Sequence, residues 1–311
     1  MAAADFRSTR HQSVEGDVSL VIPSRDRSRL LLDTVRSVLA GDVVPAEIVI
    51  VDQSSTPSRE VSALDRVAYV HSHSAGLSRA RNIGIAVAQN DILVFLDDDM
   101  LVDRGWLAAI VGQLRRRGSG WAVTGWVREG APEQDGAFQM SVLADTTPRE
   151  YSGRLLRDVL YTGNMAMNRD LLERVGEFDE RLGAGSAFPG AEDNDFGYRL
   201  LATGGRIAYA PNAPVRHRAW RPREQYVRMR WGYGLGQGGF YAKHSAGGNH
   251  FMVRRAARHV AHYLRRLPGR VRREPLRARG DLAFLAGMIV GGGRWLLTYR
   301  AGGRPREPSG G

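Results

Sequence analysis

At 311 residues, 43% hydrophobic and 25% charged, the chain has an ordinary globular composition and ample length for a sizeable core. It has no cysteine, which excludes disulfides and thiolate zinc sites and fits a reducing, cytoplasmic setting. Its net charge of +11 is gathered at one end: over 252–300 twelve arginines stand against Glu274 and Asp281, whereas 1–251 balance to zero. The body of the chain is therefore no polyanion binder, and no nucleic-acid module accompanies the charge.

Residues 1–16 are polar, lack the apolar stretch of a secretory signal, and are expected to be a disordered lead-in. The run VSLVI at 18–22 predicts a buried strand ended by Pro23. Leu31, Leu32, Val35, Val38 and Leu39 recur at helical spacing, so 28–40 is predicted helical. Strands follow at 47–51 and 67–70, a helix opens at Ala75-Gly76 and runs to 88, and ILVFL at 92–96 is a further strand. Next come a helix over 106–117 and a strand over 121–127. Residues 128–157 carry no assignable pattern. A strand at 162–168, a helix at 192–203 closed by Gly204-Gly205, and a strand at 206–209 complete the first part. The alternation predicts an α/β fold, a mostly parallel Rossmann-like sheet flanked by helices.

Residues 221–250 are rich in aromatics and glycine. Beyond them Val253, Ala256, Ala257, Val260, Tyr263, Leu264 and Leu267 form a helical stripe with arginines off it, and Pro268-Gly269 is read as its stop. A second apolar run, 282–293, has 12 residues, short of the ~20 that span a bilayer. Residues 246–300 are read as a basic amphipathic helical appendage and 301–311 as a disordered tail.

The chemistry gathers at strand ends. Asp97, Asp98 and Asp99 directly follow an apolar strand. Adjacent carboxylates repel unless neutralised, and a hard cation such as Mg²⁺ takes one or two carboxylates together with substrate phosphates. The alternative is a solvated acidic turn. The first strand ends in Pro23, Ser24, Arg25, Asp26 and Arg27, the second in Asp52 and Gln53. In open α/β sheets ligands bind beyond such carboxyl ends. Neither a G-x-G-x-x-G fingerprint nor a P-loop follows the first strand.

VIPSRDR, VDQSS, AGLSRARNIG, FLDDD, GNMAMNRD and GAEDNDFGYRL, in that order, resemble the inverting family 2 glycosyltransferases of GT-A fold, over about residues 17–245. The resemblance implies a hexosyl- or deoxyhexosyltransferase that uses a nucleoside-diphosphate sugar, a hydroxyl acceptor (glycan, lipid-linked sugar or small molecule), and Mg²⁺ or Mn²⁺. It implies that Asp52 and the turn of Pro23, Ser24, Arg25 and Asp26 hold the nucleoside. Asp97 and Asp99 would meet metal and diphosphate, with Asp98 between them on the donor. Arg79 and Arg81 lie near the donor on their helix; the alternative for each is an exposed helix charge. Asp193, beside Glu192, aligns with the family's catalytic base, the alternative being an acidic pair favoured by a helix dipole. His217 matches a position where related enzymes place a histidine near the metal, against a structural histidine. Gln53-Ser54 replaces the more usual Asp-Gly, and Asp26 stands where Asn is frequent.

Other readings compete. A sugar-1-phosphate nucleotidyltransferase has a related sheet but begins with a glycine-rich loop, where this chain has Pro23-Ser24-Arg25. A catalytically inactive nucleotide-sugar-binding protein would not need Asp97, Asp99 and Asp193 intact. Trp220, Tyr226, Trp231, Tyr233, Phe240 and Tyr241 are read either as an acceptor-side stacking surface or as a small core under the appendage. His71 and His73 are read as a loop pair without metal. The arginine-rich helices suit the anionic inner face of a plasma membrane; the alternative is an exposed face of helices packed on the catalytic domain.

Overall fold

The computed structural model describes residues 13–130, 138–139, 145–218, 220–246 and 248–299. Its elements are β1 (Ser13–Ser24), α1 (Ser28–Leu39), β2 (Val43–Asp52), α2 (Arg59–Ser62), β3 (Val67–His71), α3 (Leu77–Val87), β4 (Ile92–Leu96), β5 (Met100–Val102), α4 (Trp106–Arg115) and β6 (Trp121–Glu129). There follow β7 (Phe138–Gln139), β8 (Arg149–Ser152), β9 (Asn164–Asn168), α5 (Arg169–Val175), α6 (Glu192–Ala202), β10 (Arg206–His217), β11 (Trp220–Arg221), α7 (Tyr226–Ser245), α8 (His250–Arg273) and α9 (Pro275–Thr298).

Among the described residues nine strands make one sheet, in the order β3-β2-β1-β4-β9-β6-β10-β5, with β8 also on β10. Strands β1 to β4 are mutually parallel. β9 runs against both β4 and β6, and β10 is parallel to β6. The α/β fold expected from the alternation is present, but its sheet is mixed rather than mostly parallel, because β9, β5 and β8 run antiparallel to their neighbours. Its strands bury both faces, which is why they read as continuous apolar runs. Leu20, Ile22, Ile48, Ile50 and Val94 pack with Leu31, Val35, Trp106 and Ile110 of α1 and α4. Val21, Val49, Leu93 and Phe95 face the other way, onto Ile85, Leu171, Phe196 and Leu200 of α3, α5 and α6. Gly84 lets α3 lie close on β1, because a Cβ there would collide with Val21.

This topology sets the site. The carboxyl ends of β1, β2 and β4 lie side by side, so Ser24, Asp52 and Asp97 share one edge. β9 is antiparallel and pairs its first residue, Asn164, with Leu96, so Tyr161 to Gly163 arrive at that same edge. β10 delivers His217 there, opposite Met100 of β5.

Two local expectations are corrected. The lead-in expected over 1–16 is strand from Ser13, where β1 pairs Ser13–Glu15 with Val43–Pro45. The segment is exposed, so no apolar period marked it; it is held by Glu15 and Asp17 on Arg115, both at 2.6 Å. Residues 1–12, like the tail 301–311, lie outside the described residues. The stop read at Pro268-Gly269 lies inside α8. Proline removes one amide donor, and packing of Val260 and Tyr263 before it and the Arg270–Asp281 bond after it hold both halves. The glycine-rich stretch within 221–250 is mostly the helix α7. Its glycines serve contact: a Cβ on Gly234 or Gly238 would collide with the carbonyls of Phe284 or Met288, and one on Gly291 with that of Leu235. α7 and α9 thus pack backbone to backbone, and tertiary contact overrides the poor helix propensity of glycine. The aromatic cluster of this region is divided: Phe240 and Tyr241 are core, with Met252, Phe284 and Met288.

Candidate active site

The aspartate run is held from three sides. Ser24 Oγ donates to Asp98 Oδ2 at 2.7 Å and Thr34 Oγ1 to the Asp98 carbonyl at 2.8 Å. Arg27 Nη1 donates to Asp98 Oδ1 at 3.1 Å and Asp99 Oδ2 at 2.9 Å. His217 Nε2 lies 3.2 Å from Asp99 Oδ1. Burial and the adjacent Asp99 push the Asp98 carboxyl up to about 6. Burial would also raise Asp99, but the hydrogen bond from His217 and the charge of Arg27 outweigh it and hold Asp99 below the usual carboxylate range.

Asp97 takes a different partner. Arg81 Nη2 donates to its Oδ1 at 2.9 Å, and the Tyr161 hydroxyl to Oδ2 at 3.3 Å. A Cβ on Gly163 would collide with that carboxylate and the Tyr161 ring, so glycine leaves both side chains their places. Arg81 is 1% exposed, and its Nη1 lies 3.5 Å from Asp193 Oδ1 and 3.9 Å from Glu192 Oε1. One guanidinium therefore spans the aspartate run and the Glu-Asp pair that opens α6. The Thr162 hydroxyl also donates to Asp193 Oδ1. Burial raises Glu192 to about 7, helped by the Asp193 charge. Burial raises Asp193 too, opposed by Arg81 and Thr162.

These groups line one cavity of about 630 Å³. Pro23, Ser24, Arg25, Arg81, Asp97, Asp98, Asp99, Glu192, Asp193 and His217 all reach it. Three expected donor contacts do not. Arg79 turns out to Glu180 at 2.7 Å, because residues two apart on a helix point in different directions. Asp52 is buried behind the wall, its oxygens taken by the Ser54 amide at 2.8 Å and by the Tyr69 hydroxyl. Asp26, with φ of +54°, accepts from the Ser55 amide at 3.0 Å and shapes the turn from outside. His71 lies 2.8 Å from the Ser54 carbonyl and neither it nor His73 lines the cavity.

Gln53 lines the cavity and clamps the loop before α3, accepting from the Gly76 amide at 3.1 Å and donating to the Gly76 carbonyl at 3.1 Å. The sequence marked it as a polar strand-end residue and as a departure from pattern. Arg27, Tyr161, His259, Tyr263 and Phe284 are lining residues that sequence reasoning missed. Arg27 stood inside a quoted motif and Tyr161 two residues before one; the other three lie far from any.

Among the described residues no three His, Asp or Glu side chains form a ready metal cage. Asp97 and Asp99 nevertheless offer hard oxygen donors and His217 an imidazole on the same wall. A Mg²⁺ or Mn²⁺ ion is satisfied by one or two carboxylates when phosphate oxygens and water complete its shell. The donor set fits an ion that arrives with a diphosphate, with Arg27 and Arg81 supplying positive charge in its absence.

Architecture and site define a GT-A-type glycosyltransferase fold. The family profile described as glycosyl transferase family 2 matches residues 19–176, and the chain belongs to that family. Pre-mycofactocin glycosyltransferase of Mycobacterium tuberculosis is 30% identical over 209 residues, 65% of this chain and 42% of that protein. Succinoglycan biosynthesis protein ExoM of Rhizobium meliloti is 30% identical over 198 residues, 60% of this chain and 62% of that one. The chain thus spans less than two thirds of either relative. The mannosyltransferase PcManGT of Pyrobaculum calidifontis, solved with GDP-Man and Mn²⁺, shares the fold at a TM-score of 0.57 and 16% identity, over 88% of this chain and 86% of that one.

Proposed function

We propose that this protein transfers a hexosyl or deoxyhexosyl group from a nucleoside-diphosphate sugar to an acceptor hydroxyl, with inversion. The observation that carries the reading is Arg81: one buried guanidinium touches Asp97 on one side and faces Asp193 on the other, so a donor diphosphate and an attacking hydroxyl fit one cavity. Pro23, Ser24 and Arg25 bound the donor side, with Asp98 fixed beneath by Ser24. Asp193 Oδ takes the proton of the acceptor hydroxyl as its oxygen bonds to the anomeric carbon and the bond to the diphosphate oxygen breaks. Arg27 and Arg81 place positive charge where the leaving diphosphate gains negative charge. A Mg²⁺ or Mn²⁺ ion held by Asp97, Asp99 and His217 would add Lewis-acid stabilisation of that leaving group when bound. Glu192, raised by burial, keeps a second carboxyl beside the base without a second full charge in the neutral range.

The test is incubation with Mn²⁺ or Mg²⁺, a panel of nucleotide sugars and acceptor extracts, with detection of nucleoside diphosphate. Its release, dependent on acceptor, is the expected result. Pyrophosphate formed from a nucleoside triphosphate and a sugar phosphate would instead mean a nucleotidyltransferase. Donor binding without turnover across the panel would mean an inactive sugar-nucleotide-binding protein. We further propose a cytoplasmic protein whose C-terminal helices rest on an anionic membrane surface, on the strength of the exposed apolar face of α9.

A further inference from the structure

The cavity continues beyond Asp193 into a part built by the three C-terminal helices. α7 stands directly beside the start of α6: Asn194 Nδ2 donates to Gln237 Oε1 at 2.7 Å. Tyr233 lies against Gly190, where a Cβ would come within 3.3 Å of its ring. From there the lining is Met229, Arg230 and Tyr233 of α7, His259 and Tyr263 of α8, and Phe284 of α9. The rings form a box: Tyr263 and Phe284 centroids are 4.9 Å apart, and His259 lies 5.4 Å from Tyr263 and 5.5 Å from Phe284.

The charge in this box is unbalanced. Arg230 sits 4.4 Å from the Phe284 ring centroid and donates to the Tyr263 hydroxyl at 2.8 Å. Among the described residues it pairs with Asp281, Nη2 to Oδ1 at 3.6 Å, and Asp281 is also bonded by Arg270. Asp158, also on the lining, is taken by Arg255, so among the described residues one carboxylate, Asp281, serves two guanidiniums and one positive charge is in excess. His259 adds none: burial, then the charges of Arg255, His262 and Arg230, lower it to about 4. A half-buried surplus cation among aromatic faces is completed by an anion, and guanidinium matches phosphate or carboxylate geometry. The aromatic faces provide stacking area for a ring.

We propose that this end of the cavity is an acceptor subsite for a ring-bearing molecule with a phosphate or carboxylate group, the anion on Arg230 and the ring among Tyr233, Tyr263 and Phe284. The word acceptor rests on the transferase reading above; the ligand chemistry does not. Calorimetric titration of the full chain tests it, with inorganic pyrophosphate and Mg²⁺ held at saturation on the donor side. The probes are phenyl phosphate, phenyl β-glucuronide and the neutral phenyl β-glucoside. At least one charged probe should bind about tenfold or more tighter than the glucoside, and which one does so identifies the anion source. Arg230→Gln should erase that preference and leave pyrophosphate binding unchanged, whereas Arg230→Lys should keep part of it. Equal affinity of wild-type protein for all three probes overturns the proposal, as does a preference that survives Arg230→Gln. If Arg230→Gln does not fold, the wild-type contrast decides alone. Failure of the transferase reading is visible separately, as no acceptor-dependent release of nucleoside diphosphate in the nucleotide-sugar assay.

Discussion

Asp193 has its basicity set by burial against two neighbours. Burial favours its neutral form, while Arg81 at 3.5 Å and the Thr162 hydroxyl favour the carboxylate. Asp193→Asn keeps the shape but cannot take a proton, so transfer should fall by about 10²–10⁴-fold with donor binding retained. Transfer near the wild-type rate would assign the base elsewhere. The pH profile gives an independent reading. The Thr162 hydrogen bond stabilises the ionised form, so its loss in Thr162→Val raises the Asp193 pKa. The base form is then lost earlier as pH falls, and the acid limb of kcat/KM should move to higher pH. A limb that stays in place would mean that the titrating group is not Asp193.

At the scale of elements, the α7–α9 pair rests on glycines that face carbonyls. Gly238→Ala puts a methyl against the Met288 carbonyl and the Gly292 amide, backbone atoms that move only if the helices part. The expected loss is about 1–3 kcal/mol in denaturant unfolding. Gly269→Ala, in α8 with nothing within 4 Å of the new atom, should instead gain roughly 0.5–1 kcal/mol. Matching changes at both sites would refute the contact explanation. These helices also show where sequence reading stopped. β1, β2 and β4, buried on both faces, were legible as apolar runs, and the motifs at their ends placed Ser24, Asp97 and Asp99 on one edge. Glu192 and Asp193 were legible through their motif. Glycines in α7 signal turns locally, and only a partner helix more than 40 residues away makes them helical. Likewise Tyr263 and Phe284 reach the cavity through packing of α8 and α9, which no local pattern records. Asp52 and Arg79 were placed at the donor by motif, yet Tyr69 and Glu180, remote in sequence, draw them away.

For the whole molecule, the unbalanced feature is the outer side of the C-terminal helices. No helix among the described residues is long and apolar enough to cross a membrane. Yet Leu282, Ile289, Val290, Leu296 and Leu297 of α9 are exposed, Ile289 at 77%. With Ala286 and Gly293 they recur at spacings of three and four, and Arg279 and Arg294 lie beside them on the same helix. The two acids of 252–300 are already paired, Glu274 with Arg277 at 2.6 Å and Asp281 with Arg270. Exposed arginines of α8 add to the field. An apolar stripe edged with unbalanced arginine matches an anionic bilayer, where guanidinium meets headgroups and the stripe enters the interface. Vesicles containing phosphatidylglycerol should therefore co-sediment the protein, and vesicles of phosphatidylcholine alone should do so weakly. Raised salt should release it, because the electrostatic part is screened. Ile289→Glu and Leu297→Glu each remove about 1.5–3 kcal/mol of apolar burial and add a like charge, so each should weaken partition by about tenfold or more. Equal binding to both vesicle types, insensitive to salt and to both substitutions, would make the stripe an ordinary exposed helix face and remove the membrane from the account of this protein.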